Sequence, residues 1–526
     1  MKRNDTRRIS GFCEILSVAA VAAMLVGFAA GTGCAGESDA ARAVTPDSWE
    51  SVRALILQKM QKDGLPSVAL AVARNGKIVW EEAWGWANIE KKIKATPQTM
   101  YSLASVSKPV TATGLMVLAE RKLVDLDKPS NEYLGAGKLT GRAGDARQAT
   151  VRRILQHTAG LPTHLNVIFA NEPYRRPEMD DTISRYGFLA MPPGEVFNYS
   201  NLGYGIIDHI ISRVSKKSFP DFMKSEVFAP LGMAHSAVFT APGPEEEVAQ
   251  RYTQKQALLP FLDFDHRGAS AVYASAHDLV RFGMFHLKNR LPDQRRVLSD
   301  RVIDAMQRAS GAKIPDAGIG LSGYGLGWTL IDLGGRRLIS HSGGTFGAGA
   351  RLTLIPRENI ACVILTNGAS SAEGYDLWEI ERAVFAALIP GFPKAPDAAV
   401  PAEKPFTPPD ALVGAWKGAI RVDGRDLPTN LAIDKAGMVR FDIAGQVMAP
   451  IPIKNPLGSL RYDEGTFRGP FLGTIRIADT ARAAHVVLLD LKLRGDKLNG
   501  SASAVAMDGR FWLPFWIDLE KGAPQP

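Results

Sequence analysis

Cysteine is almost missing from these 526 residues: Cys13, Cys34 and Cys362 are the whole complement. Two of the three sit near the start, so Cys362 stands alone in the body of the chain and an internal disulfide framework is excluded. Past the first 30 residues no apolar run approaches the roughly 20 residues of a membrane-spanning helix. Excess charge is also scarce. The net value is +8, of which Lys2, Arg3, Arg7 and Arg8 against Asp5 and Glu14 supply +2, and the remaining +6 is too diffuse to build a nucleic-acid surface. Internal repeats are absent, and 50 Gly with 33 Pro stay below the level of low-complexity sequence. What is present, 46% apolar, 22% charged and 8% aromatic residues, is the composition of a folding globular chain. Its length exceeds what one compact core usually holds, so two or three structural units are expected.

The start reads as an address. A basic stretch is followed by the uncharged run Ile15 to Ala30, so residues 1–34 are expected to be a signal peptide and the protein to be exported. Cys34, in Gly31-Thr32-Gly33-Cys34, resembles a bacterial lipoprotein cleavage site, with Gly31 in place of the usual large aliphatic residue. Lipidation of Cys34 would tether the protein to a membrane; ordinary cleavage near Gly33 or Ala35 would leave it periplasmic or secreted.

The clearest boundary is a Pro-rich linker over 391–410, where Pro393, Pro396, Pro401, Pro405, Pro408 and Pro409 crowd together just after Pro390. After it, Val439, Phe441 and Ile443, and then Leu489, Leu491 and Leu493, alternate with polar residues, which predicts a small all-β domain over 411–526. Its opening Gly414-Ala415-Trp416 and its length look like a lipocalin-like barrel. Before the linker, residues 47–390 begin with strands Val68 to Ala73 and Ile78 to Trp80 around the turn Asn75-Gly76. They close with Trp328 to Ile331, Leu338 to Ser340, Leu352 to Ile355 and Ala361 to Leu365, then an amphipathic helix around Tyr375 to Leu388. Strands at both ends with helices between predict an α+β domain whose terminal segments share one antiparallel sheet.

Three motifs carry chemistry. In Ser105-Val106-Ser107-Lys108, a helix opening at Ser105 would bring hydroxyl and ammonium onto one face. A poorly solvated lysine loses its charge and becomes able to take the serine proton. A second Ser-x-x-Lys, Ser310 to Lys313, runs into Pro315 and cannot begin a long helix, whereas Ser105 leads into an apolar stripe with Leu115, Met116 and Leu118. Tyr199-Ser200-Asn201 follows the turn-rich Pro193-Gly194 and is expected on a loop rim; its phenol can act as a base only if a cation such as Lys108 adjoins it. His341-Ser342-Gly343-Gly344 ends a predicted strand, where glycines allow close backbone approach, and the amides of Gly344 and Ser105 are candidates for an oxyanion hole. A second His-x-Gly, His266-Arg267-Gly268, has no preceding strand of similar quality.

In this order the three motifs resemble the serine β-lactamase and penicillin-binding-protein superfamily, in its class C-like branch with family VIII esterases and D-aminopeptidases. The resemblance spans about residues 50 to 390 and includes Leu155 to Pro162, Pro230-Leu231-Gly232-Met233, Ala274 to Leu279, Tyr324 to Trp328 and Gly343 to Gly347. It implies a β-lactamase/transpeptidase-like fold, an antiparallel sheet flanked by helices plus a helical region, without metal or organic cofactor. It also implies Ser105 as acylated nucleophile, Lys108 and Tyr199 as the proton-handling pair, Asn201 as a substrate or lysine contact and His341 lining the opposite wall with Gly343 and Gly344. His157 and Asp278 fall in segments whose roles are structural. Where class A enzymes carry Ser-Asp-Asn and Lys-Thr-Gly, this chain has Tyr-Ser-Asn and His-Ser-Gly. His341 thus replaces a permanent cation with a mostly neutral group. The expected substrate is a small ester, amide or D-amino-acid peptide, with a weak β-lactamase or D,D-peptidase as the nearest alternative. A non-catalytic envelope protein holding its ligand in the barrel is the alternative of another kind.

Overall fold

The computed structural model describes residues 46–312, 314, 321–368, 375–393, 405–451 and 458–522. The expected signal peptide, Cys34, Lys313, Pro396 and Pro401 lie outside the described residues. Among those described, no helix is long and apolar enough to cross a membrane.

Asn75 and Gly76 both take positive φ, 51° and 75°, which is what a two-residue hairpin turn matching strand twist requires. They join Ser67–Arg74 to Lys77–Asn88, longer strands than the sequence pattern marks. Gly334 and Gly335, at 57° and 72°, do the same between Thr329–Leu333 and Arg336–Thr345. The eight-stranded sheet runs Leu321–Tyr324, Thr329–Leu333, Arg336–Thr345, Ala348–Ile355, Ile360–Thr366, Ser67–Arg74, Lys77–Asn88, Ile93–Lys94. Every neighbouring pair is antiparallel, and the two ends of the domain meet where Val68 pairs Thr366 and Arg74 pairs Ile360.

Side-chain size sorts the two faces of this sheet. Val68, Leu70, Val72, Cys362 and Ile364 pack beneath Pro46–Asp63 and Tyr375–Leu388, through Val52, Ile56, Leu377 and Ile380. Small Ala69, Ala71, Ala73 and Ala361 on the other face let Ala276–His286 lie close, at Gly283. The helical region sits beyond that face, and its central helix, Ser107–Glu120, is buried all round from Ser107 to Leu118. A helix apolar on every side belongs in the middle of a core.

After the Pro-rich stretch, eight antiparallel strands from Gly414–Val422 to Phe511–Lys521 close into a barrel, the last pairing with the first from Trp416↔Lys521 to Ile420↔Ile517. Alternate residues such as Trp416, Ile420, Leu431, Phe441, Phe471 and Leu489 are buried and fill it. The barrel is not a bead on a linker. Phe511 and Trp512 pair with Asn166 and Leu165, so Leu165–Phe169 and Leu262–Phe264 of the α+β domain extend the barrel's own sheet. Buried Asp479 accepts hydrogen bonds from Tyr174 Oη (2.9 Å), Arg185 Nη1 (2.9 Å) and Tyr186 Oη (2.5 Å), and Trp516 packs on Phe188. Unpaired strand edges and uncovered aromatic rings would be left on both halves without this junction.

Candidate active site

Ser105 lies in a single 3-10 turn, Ala104–Val106, and the long helix opens two residues later, at Ser107. The expected helix start at Ser105 is therefore shifted, because Ala104 takes φ 43° and turns the chain sharply before the helix begins. The i, i+3 meeting survives: Lys108 Nζ lies 2.9 Å from Ser105 Oγ. Ser105 alone of its turn is part exposed, whereas Lys108 is fully buried.

The surroundings of Lys108 specify its charge state. Its nitrogen also lies 2.7 Å from Asn201 Oδ1 and 3.3 Å from the Ala269 carbonyl, and 4.6 Å over the Tyr199 ring. Burial drives its pKa well below the usual lysine value, and no carboxylate among the described residues is paired with it. A neutral amine fits this environment: two N–H groups donate to Asn201 and Ala269, and the lone pair faces the Ser105 hydroxyl.

Tyr-Ser-Asn does not sit on an exposed loop rim, contrary to the sequence expectation. Ser200 and Asn201 are buried, Tyr199 is half-buried, and Asn201 is the first residue of the helix Asn201–Ser215. The reason is satisfaction of the amide: Asn201 Nδ2 donates to the His164 carbonyl at 3.0 Å while Oδ1 holds Lys108, which exposure would forfeit. Burial pushes the Tyr199 phenol up, outweighing a hydrogen bond with Ser105 that acts the other way. Tyr199 is thus a protonated phenol beside the lysine, not a ready-made phenolate base. His157 packs 4.4 Å from its ring and accepts from the Ser200 amide, buttressing the segment. Asp278 lies elsewhere, accepting from the His235 amide and Ser236 Oγ.

Opposite runs Arg336–Thr345, whose pairing with Thr329–Leu333 stops at Ser340. From His341 onward that edge has no strand partner among the described residues and abuts the Ser105 turn. A Cβ on Gly343 would fall 2.2 Å from the Leu103 carbonyl oxygen and 2.8 Å from the Ser105 nitrogen, so only glycine permits this approach. It sets the strand backbone at Gly343 directly against the Ser105 amide, with Gly344 the next residue. His341 is buried; its Nδ1 is 2.7 Å from the Ser342 carbonyl and so carries the proton, while Nε2, at 3.0 Å, accepts from Tyr324 Oη. Burial lowers its pKa to about 3, so it is a neutral wall.

Neither duplicate motif joins the site. Ser310 sits in a loop, its amide bonded to the Tyr324 carbonyl. His266 follows only the three-residue strand Leu262–Phe264, against ten residues in Arg336–Thr345, and it is fully buried and bonded to Asp265. Asp265 also accepts from His164 and Asn166, and although burial alone would raise this carboxyl, its two imidazole partners hold it below the usual range. His164, Asp265 and His266 form the one metal-compatible cluster among the described residues, and their facing atoms already hydrogen-bond to one another. Sequence reasoning missed the carbonyls of His164 and Ala269, since a main-chain acceptor leaves no residue-type signal. Tyr324 did leave one, within Tyr324-Gly325-Leu326-Gly327-Trp328.

Comparison with known proteins places this geometry. "Protein flp" of Staphylococcus aureus (strain N315) is 26% identical over 330 residues, which cover 62% of this chain and 64% of that protein. The chain therefore matches under two thirds of that relative's length. Among solved structures, SurE with D-Leu aligns with a TM-score of 0.60 at 21% identity, covering 89% of this chain and all of that one. D-amino acid amidase from Ochrobactrum anthropi SV3, complexed with L-phenylalanine, aligns with a TM-score of 0.54 at 22% identity over 64% of this chain and 98% of that one. Since the family described as Beta-lactamase matches residues 52–386, the stretch that carries both the eight-stranded sheet and the Ser105 cleft, the chain belongs to the beta-lactamase family.

Proposed function

We propose that this protein hydrolyses a small ester or amide, including D-amino-acid amides and peptides, through an acyl-enzyme on Ser105. The observation that carries the reading is a buried Lys108 whose nitrogen lies 2.9 Å from Ser105 Oγ and is otherwise bound by acceptors alone. Lys108 takes the Ser105 proton as Oγ attacks the carbonyl carbon, and the oxyanion is held by the amides of Ser105 and Gly344. Tyr199, protonated, passes a proton to the departing alcohol or amine and is recharged from Lys108. Water then adds to the acyl carbonyl, and the acid leaves as Ser105 regains its proton. Asn201 holds the lysine nitrogen in place.

Two features favour esters and amides over β-lactams. His341, neutral at pH 7, offers no cation for the carboxylate of a β-lactam, and the fold neighbours include a D-amino acid amidase. The packed barrel interior argues against a ligand-holding barrel with a vestigial cleft. Turnover of short-chain nitrophenyl esters and D-alanyl amides, compared with a chromogenic cephalosporin, tests the preference; faster cephalosporin turnover would overturn it. Export, with Cys34 as a lipid anchor, is part of the same proposal. Metabolic fatty-acid labelling lost in Cys34→Ala supports the anchor, and unlabelled wild type rejects it.

A further inference from the structure

We propose that a cavity of about 260 Å³ behind the active-site lysine binds a small alkylammonium ion. It lies between the helix Asn201–Ser215, which contributes Asp208, His209 and Ser212, and the short turn Arg267–Ser270, with Phe219, Arg176 and Glu178 among the other wall residues. The volume falls just under the range of drug-sized pockets, so its occupant is small.

The charges around it call for a cation. Arg267 is spent on Asp263, with two hydrogen bonds of 2.9 and 2.7 Å. Arg176 stands 3.7 Å from Asp263 and 3.8 Å from Glu178. Asp265 is satisfied by His164, His266 and Asn166. His209 is kept neutral at pH 7 by burial, which lowers its pKa. That leaves Asp208, which lines the cavity and whose carboxylate accepts only the Gly268 amide and forms no ion pair with a cation among the described residues. Burial pushes its carboxyl up to about 7, with Asp265 adding to the rise and Arg176 and Arg267 opposing it. An ammonium group supplies the missing counter-charge, and the phenyl ring of Phe219 beside it accepts a short alkyl chain. The turn between cavity and active site serves both: Gly268 donates to Asp208, its carbonyl accepts from Thr111 Oγ1 at 2.7 Å, and the Ala269 carbonyl holds Lys108.

Isothermal titration of the full-length protein with n-butylammonium tests the site, with butyrate and n-butanol as controls. Binding should be seen at pH 8 and be about tenfold weaker at pH 6, because the ligand requires the ionised Asp208. It should vanish in Asp208→Asn and also in Ser212→Leu, which fills the cavity while keeping the carboxylate. Ser105→Ala should bind as wild type does, so failure of the hydrolase reading leaves this result untouched. The absence of binding, equal binding of butyrate, or binding that survives in folded Ser212→Leu would overturn the proposal.

Discussion

A lysine that shares its nitrogen with a serine hydroxyl can take the proton only while uncharged, so the pH dependence of acylation belongs to Lys108. Its pKa is lowered by burial, which makes the base form more available; acylation should rise with pH through that lowered value and level off above it. Lys108→Arg, which cannot deprotonate, should lose about 100-fold to 10,000-fold in acylation rate, measured by stopped flow with a nitrophenyl ester. The buried histidines impose a pH dependence of the same sign on stability. His341 and His286 are buried neutral, with folded values of about 3 against an unfolded value near 6.5. Protons then bind the unfolded chain first, so their stabilising contribution is complete above about pH 6.5 and is lost progressively as pH falls toward 3. Urea midpoints at pH 7 and pH 5 check this, and His286→Leu should flatten the difference. Ser105, Lys108, Tyr199, Asn201 and His341 were all legible as residue types in spaced motifs. The state of Tyr199 was not, because it depends on how deeply the fold buries the phenol.

At the scale of elements, the site is a turn pressed against a strand edge, and Gly343 is the point of contact. A methyl group there meets the Leu103 carbonyl oxygen at 2.2 Å, a clash with backbone that no rotamer relieves. Gly343→Ala should therefore move the Arg336–Thr345 edge away from the Ser105 amide. The expected loss in kcat is about 100-fold to 1,000-fold, the worth of one oxyanion donor, with a folded protein by circular dichroism. The Asn75-Gly76 hairpin and the continuous apolar run Ala361 to Leu365, within the strand Ile360–Thr366, could be read directly, because turn chemistry and burial on both faces leave local patterns. The start of the helix after Ser105 could not, since positive φ at an alanine is imposed by its surroundings. Nor could the strand Leu165–Phe169, whose partners lie about 100 and 350 residues further along the chain.

Across the whole molecule, the barrel and the α+β domain share a sheet, and the buried carboxylate of Asp479 helps to pin them, beside Glu172, which takes Arg482 and Arg510. Asp479→Ala would strand the hydroxyls of Tyr174 and Tyr186 and free Arg185, at a cost of about 1–3 kcal/mol for each donor left unsatisfied. Differential scanning calorimetry should show a lowered transition and, with docking weakened, a barrel that melts separately from the rest. A chain ending near Pro393 should be less stable still and prone to aggregate, with Phe188 and the strand Leu165–Phe169 uncovered. The Pro-rich stretch made the barrel's existence legible, but its docking depends on side chains such as Asp479 that carry no motif. The central claim, an acyl-enzyme on Ser105 prepared by a neutral Lys108, is met most directly by intact mass spectrometry. Wild type and Ser105→Ala would be incubated with nitrophenyl esters, D-alanyl amides and β-lactams in parallel. The account predicts an acyl adduct on wild type from the esters or amides, absent in Ser105→Ala. An adduct that persists in the variant, or neither adduct nor turnover with any of the compounds, would contradict it.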